Sequence, residues 1–306
     1  MKKFYYSCGV ILITLALILG YSCKKDINSV PDNFSTENPI NPEIAGIGHN
    51  KCLDIFFQKL QQLKAQTRSN EVGSIETDEV VVEDMIAESI FECLENIEME
   101  NTEKEDLNNE LQTIIEYCDE NLDEIELPIL SEQALFMASR LQTIIDTDNI
   151  DATNAINAIT AIENEARQNL SESEANSLLL STAIMRYSIE YWNENYTYWF
   201  PSQTRSGSNW RDIAKADCDW ALIAIGFGGT KTGGRALKWA SRLLGIASMQ
   251  AKILIITSVA AAGSIMEATR NEIMISDELE PALCCDIAEK ALRMYISDEE
   301  EPVIGI

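Results

Sequence analysis

ILIITSVAAAGSI, residues 253–265, is the stretch on which the fold of this 306-residue chain turns. It is uncharged throughout and lies between Lys252 and Glu267. A membrane-spanning helix needs about 20 apolar residues, so this shorter run reads first as a helix buried inside a protein core. The same character extends outward. Trp220 to Met266 carries Gly226, Gly229, Gly233 and Ala260 to Gly263, small residues that let helices approach closely. The expectation is a central apolar, glycine-containing helical hairpin over 220–266, sheathed by other helices. Its first part, WALIAIGFGGTKTGG (220–234), reads either as a strand with a glycine turn or as a small-residue helix. Lys238 and Arg242 flank Trp239 one turn apart, beside Leu243 and Leu244, a pattern compatible with lying on an anionic membrane.

The segments around this hairpin have helical spacing. Leu53, Phe56, Phe57, Leu60 and Leu63 fall on one face, and Val81, Met85, Ile86, Ile90, Phe91, Leu94 and Ile97 repeat the pattern. Thr102-x-x-Glu105 is a capping box that opens a third helix with Leu107, Leu111, Ile114, Ile115, Cys118 and Leu122 inward. Helices near 131–146 and 150–168 follow, then a boxed one from Ser171-x-x-Glu174 to about Trp192. Asn193 to Asn209 reads as a loop, and a last helix is expected near 278–296. No convincing run of alternating strands is present, so the fold class is all-α, a single multi-helix domain over 49–296.

The N-terminus has three zones. Lys2 and Lys3 precede the apolar run Val10 to Leu19, and Gly20-Tyr21-Ser22 leads into Cys23. This is the pattern of a secretion signal cut before a cysteine that is then acylated; the polar switch at Lys24-Lys25-Asp26 argues against an uncleaved membrane helix. Residues 1–22 are therefore expected to leave as a lipoprotein signal peptide. Residues 23–48, with Pro31, Pro39 and Pro42 among polar residues, are expected to form a lipidated tether, and 297–306 an acidic tail. The expected location is the cell envelope, at the outer membrane, with its periplasmic or outer face left open.

The net charge is −27, which makes nucleic acid an unsuitable partner because phosphate repels such a surface. The charge is uneven. Residues 23–204 carry 10 basic and 36 acidic side chains and residues 253–306 carry 3 and 11, whereas residues 205–252 carry 8 and 3. A basic insert thus sits in an acidic body, to be neutralised by packing against acidic helices or to dock an anionic surface. Six cysteines remain after Cys8 and Cys23 are set aside: Cys52, Cys93, Cys118, Cys218, Cys284 and Cys285. In an oxidising compartment all six are disulfide candidates, with the pairing open. Of the adjacent Cys284 and Cys285, one is expected to be buried and at most one bridged.

Motifs that would carry chemistry fail on inspection. Gly226 to Thr232 lacks the glycines a phosphate-binding loop needs before Lys231 and five residues earlier. Asp146-Thr-Asp148-Asn149-Ile150-Asp151 begins like a calcium loop but lacks its later ligands, so it reads as an inter-helix turn with capping side chains. His49 is the only histidine, placed at a helix start, and is expected to be structural. Without C-x-x-C or a second histidine, no metal site, cofactor or catalytic residue is expected. Tyr187, Tyr191, Trp192, Tyr196, Tyr198, Trp199 and Phe200 form an aromatic cluster, read as packing of the loop onto the helices or, for Tyr196, Tyr198 and Trp199, as an interaction surface.

Ser22-Cys23-Lys24-Lys25-Asp26, Gly46-Ile-Gly48-His49-Asn50 and the segment Ser181 to Trp192 (STAIMRYSIEYW) resemble landmarks of a group of uncharacterised lipoproteins of the Bacteroidota, which also carry a Gly/Ala-rich stretch after the second landmark. Trp220 to Met266 stands in that place here, with more bulky and charged residues. The resemblance implies export, lipidation and one unit over 46–296, and it implies no particular activity. The functional expectation is a non-enzymatic, lipid-anchored envelope protein that binds a protein or envelope material; the alternative is a membrane-active, toxin-like protein that inserts 220–266 into a bilayer.

Overall fold

The computed structural model describes residues 41–69, 79–97, 104–121, 130–148, 150–201, 209–227, 248–273 and 281–297. Cys23, Lys238, Trp239, Arg242, the signal segment, most of the tether, Thr102 and the acidic tail beyond Ser297 lie outside them, as does the side chain of Cys118. Among the described residues there are nine helices and no strand: α1 Glu43–Ser69, α2 Glu79–Glu95, α3 Lys104–Asn121, α4 Glu132–Asp146, α5 Ala152–Asn169, α6 Glu172–Trp199, α7 Asn209–Ala224, α8 Met249–Ile273 and α9 Pro281–Ser297. The all-α class is therefore correct.

Helix α8 occupies the centre, packed against α1, α2, α3, α6, α7 and α9. A helix apolar on every side has no face to give to water, so the rest of the chain must sheathe it. Ile253, Leu254, Ile255, Ile256, Val259 and Ala260 to Ala262 are fully buried. Met249–Thr269 is long and apolar enough to cross a membrane, yet 89% of its apolar window is buried inside the fold. Ser248 caps it, its hydroxyl accepting from Ala251 N at 3.2 Å while the Glu110 carboxylate of α3 accepts from Ser248 N and Oγ at 2.5 and 2.6 Å. Burial holds the Lys252 ammonium below its ordinary pKa, against the pull of Glu110.

Trp220 to Ala224, the start of the insert, are helical and not a strand; residues 228–234 of that reading lie outside the described residues. Helix α7 ends in a Schellman motif: Phe227 N donates to Leu222 O at 3.0 Å, Gly226 N donates to Ile223 O at 2.9 Å, and Gly226 has φ 86°. Gly226 is thus a helix stop. At Gly263 a Cβ would lie 2.1 Å from the Trp220 ring, so the indole of α7 rests on the bare backbone of α8. Part of the basic insert meets acids as expected, with Lys215 paired to Asp146 of α4.

Two sequence boundaries and one expectation of burial are corrected. The tether does not extend to Gly48, because α1 begins at Glu43, with Asn41 Oδ1 accepting from Glu43 N at 3.1 Å. Gly46 and Gly48, at the end of the expected tether, are helix-crossing points. A Cβ on Gly46 would meet the Tyr187 ring at 2.6 Å and Ala183 O at 2.9 Å, and one on Gly48 would meet Ile97 Cδ1 at 2.9 Å. The loop assigned to Asn193–Asn209 is helical as far as Trp199, because α6 keeps burying aromatic rings beyond Trp192. Cys284 and Cys285 are both buried, since α9 lies against α8 as well as α2 and α3 and so has two covered faces.

Other local readings match. Ser171 caps α6, its Oγ accepting from Glu174 N, while Ser131 caps α4 and donates its N–H to Glu174 Oε1 at 2.8 Å. Partial burial pushes the Glu174 carboxyl up, but these hydrogen bonds from Ser131 and Ser171 outweigh it and hold the group below its usual range. Asp151 caps α5 through Asn154 N at 2.8 Å, so the calcium-like turn is a helix cap.

The glycine crossing provides a test. Gly46→Val would drive a branched side chain into the Ala183 carbonyl, a backbone atom that cannot rotate away. A loss of about 1–3 kcal/mol is expected, measured as a shift in the urea midpoint; unchanged stability would contradict this crossing.

Candidate functional site

The polar residues with chemical potential converge at one place beneath α8. His49 of α1, Asp217 of α7, Ser264 of α8 and Ser188 of α6 all have zero exposure, and Trp192 of α6 joins them. His49 Nε2 lies 2.8 Å from Ser264 Oγ and 3.7 Å from Asp217 Oδ2. Ser264 donates to Asp217 Oδ1, and Ser188 donates to Asp217 Oδ2. Trp192 Nε1 donates to the same Oδ2 at 2.7 Å.

The hydrogen-bond pattern assigns the protons. Asn50 Nδ2 donates to the Tyr187 carbonyl at 3.1 Å, which turns Asn50 Oδ1 toward His49 Nδ1, also 3.1 Å away. The Ser264 proton is committed to Asp217, leaving its lone pair for His49 Nε2. Both ring nitrogens then face acceptors. Burial pushes the Asp217 carboxyl above its ordinary pKa; His49 and the three donors pull it back only in part.

Ser, His and Asp in one cluster invite comparison with a hydrolytic relay, and the geometry rejects it. In a relay serine donates to histidine and histidine to aspartate. Here serine donates to aspartate, histidine donates to serine, and none of the three is open to solvent. The arrangement ties four helices together.

A second set of polar contacts prolongs this seam. Arg186 of α6 reaches Glu163 of α5 at 2.8 Å and Glu43 of α1 at 2.5 Å. Tyr191 donates to Asp54 at 2.8 Å and accepts from Trp199 Nε1 at 3.1 Å. Burial and the Asp54 charge push the Tyr191 phenol up, which keeps it protonated and donating. Gly46-Ile-Gly48-His49-Asn50 and Arg186-Tyr-Ser-Ile-Glu-Tyr-Trp192, read from sequence as separate landmarks, are thus the two sides of one interface.

His49 at a helix start was expected to be structural, and it lies in this buried cluster; Asp217, Ser188 and Ser264 were not expected there. A signal existed. Thr257 and Ser264 stand seven apart in the uncharged run of this helix and so share a face; Thr257 bonds to Ala45 O at 3.5 Å and Ser264 to the cluster.

The predicted interaction residues separate. Trp199 is core, 3% exposed and ringed by Phe57 at 4.6 Å and Trp192 at 5.0 Å, so its assignment to a surface is corrected. Its position seven residues after Trp192 puts it on the inner face of α6. Tyr196 packs on Phe200 at 4.9 Å, half-buried, whereas Tyr198 is 68% exposed and leans on Phe57. Cys52, Cys93, Cys218, Cys284 and Cys285 are buried thiols. Burial, with the carboxylates of Asp217 and Asp219, raises Cys218, and burial raises Cys285 to about 12, so neither is a nucleophile as placed. No protein-family model, curated protein or solved structure matches the chain.

Proposed function

We propose that this chain is a lipid-anchored cell-envelope protein that works without catalysis, by binding another protein or envelope material. The observation that carries the reading is where the polar chemistry sits: His49, Asp217, Ser188 and Ser264 are spent on one another at zero exposure. A general base must reach the proton it removes, and this imidazole reaches only its own protein. The outer face instead offers Phe136, 62% exposed with Arg140 5.6 Å over its ring, beside Leu135 on α4, and Tyr198 on α6. Cys23 and the likeness of its flanking residues to lipoproteins of the Bacteroidota support attachment by acyl chains. Two or three such chains hold firmly, at roughly 0.8 kcal/mol per buried methylene, so attachment needs no help from α8. We place the protein at the outer membrane.

The test has two arms. Cells fed a fatty-acid analogue should label the wild-type chain and not Cys23→Ala. A photo-crosslinking residue at position 136 or 198 should trap a discrete adduct in those cells, whereas no adduct at either position would contradict a binding face there.

A second reading, insertion of 220–266 into a bilayer, rests on the length and apolarity of Met249–Thr269. Its burial favours the packed state, since insertion would have to withdraw α8 from six neighbouring helices. Added to anionic vesicles, the protein is expected to release no trapped dye. Release would favour the second reading.

A further inference from the structure

We propose that Cys52 and Cys93 form a disulfide that joins α1 to α2. Cys52 lies one turn after Gly48 on α1, and Cys93 sits on α2 across the crossing. Cys93 Sγ donates to the Gly48 carbonyl at 3.0 Å, and Cys52 stands on the next turn of the same helix, so both thiols lie at one crossing, near enough for each to act on the other. A bond between them would bring the sulfurs to roughly 2.05 Å. Both residues have zero exposure, so the bond, once formed, is shielded from small reductants.

The same burial sets the order of events. Desolvation raises the Cys52 thiol well above its ordinary range, and the neighbouring Cys93 adds to this. Only a thiolate attacks a disulfide, so the exchange belongs to the folding chain, before the crossing closes. One thiol loses its proton and attacks the disulfide of an oxidised dithiol carrier, giving a mixed disulfide and one carrier thiolate. The second thiolate displaces the carrier's other sulfur, and the Cys52–Cys93 bond forms. Two electrons pass to the carrier, which takes up two protons as two thiols. In the cell this rests on the export proposed above, since an oxidising compartment supplies such carriers.

The pairing can be tested apart from export. The full-length chain, reduced and denatured, is refolded in detergent with a mixture of glutathione and its disulfide, alkylated and digested without reduction. The expected product is one dominant cross-linked peptide joining Cys52 to Cys93, with a thermal midpoint roughly 5–15 °C above that of the reduced chain. Cys218→Ala/Cys284→Ala/Cys285→Ala should keep that difference, and Cys52→Ala/Cys93→Ala should abolish it. Recovery of both residues alkylated in the refolded wild-type chain, or bonding of either to another cysteine in comparable yield, would overturn the proposal, and it needs no variant to fold. A bond made in vitro but missing from protein alkylated directly in cells would overturn export and leave the pairing standing.

Discussion

Asp217→Ala is expected to destabilise the protein by about 3–5 kcal/mol, because it removes the acceptor around which the buried polar cluster is built and leaves its partners unsatisfied. Three donors, Ser188, Trp192 and Ser264, lose their acceptor at the same time. The denaturant midpoint measures this, and a loss below about 1 kcal/mol would mean that the cluster is not held as described. The pH dependence has an unusual sign. Because burial raises the native carboxyl, the native state keeps its proton in a range where the unfolded state, titrating near 3.9, has lost it. The contribution of Asp217 is therefore fully present below the unfolded value and falls as pH rises toward the native one. Over that window the stability of the wild type relative to Asp217→Asn should decrease with rising pH. Glu174, held low by its hydrogen bonds, acts in the opposite direction: its contribution is present above the unfolded value and lost as acid is added.

Trp199→Ala should cost about 3–5 kcal/mol, the range for emptying a buried indole site, and should also free the Tyr191 hydroxyl from its donor. Tyr198→Ala, one residue earlier, removes a single tilted ring contact with Phe57 at 4.9 Å. Its expected loss is about 1 kcal/mol or less. Equal losses at the two positions would contradict a helix continuing to Trp199, because a loop would not place successive aromatic residues so differently. If Tyr198 belongs to a binding face, its replacement should weaken partner capture with little change in the melting temperature, whereas Trp199→Ala should lower both through unfolding.

The helical class was legible because apolar residues recur every three or four positions over most of the chain, and Ser171-x-x-Glu174 and Asp151 announced true helix starts. The central helix was legible for a different reason: a segment with no polar face has nowhere to go but inside. Two features hid the rest. Gly46 and Gly48 sit where the tether was expected to end, and only the nearness of Ala183, Tyr187 and Ile97, far along the chain, marks them as packing sites. The buried cluster was hidden for the same reason. Asp217 is one of 50 acidic residues, and nothing in its neighbours marks it until α1, α6 and α8 bring His49, Ser188, Trp192 and Ser264 to it. The loop error at Asn193 came from reading hydroxyls and aromatics as irregular structure, when the spacing from Trp192 to Trp199 already follows two helical turns.

The fold depends most on α8 being the buried centre of the protein. Hydrogen exchange followed by mass spectrometry over residues 249–273, with and without anionic vesicles, tests this directly. The expected result is that these amides exchange in the slowest class, at the rate of global unfolding, and that vesicles change nothing. Rapid exchange without vesicles, with protection gained only on adding them, would contradict the account and place this helix in the membrane.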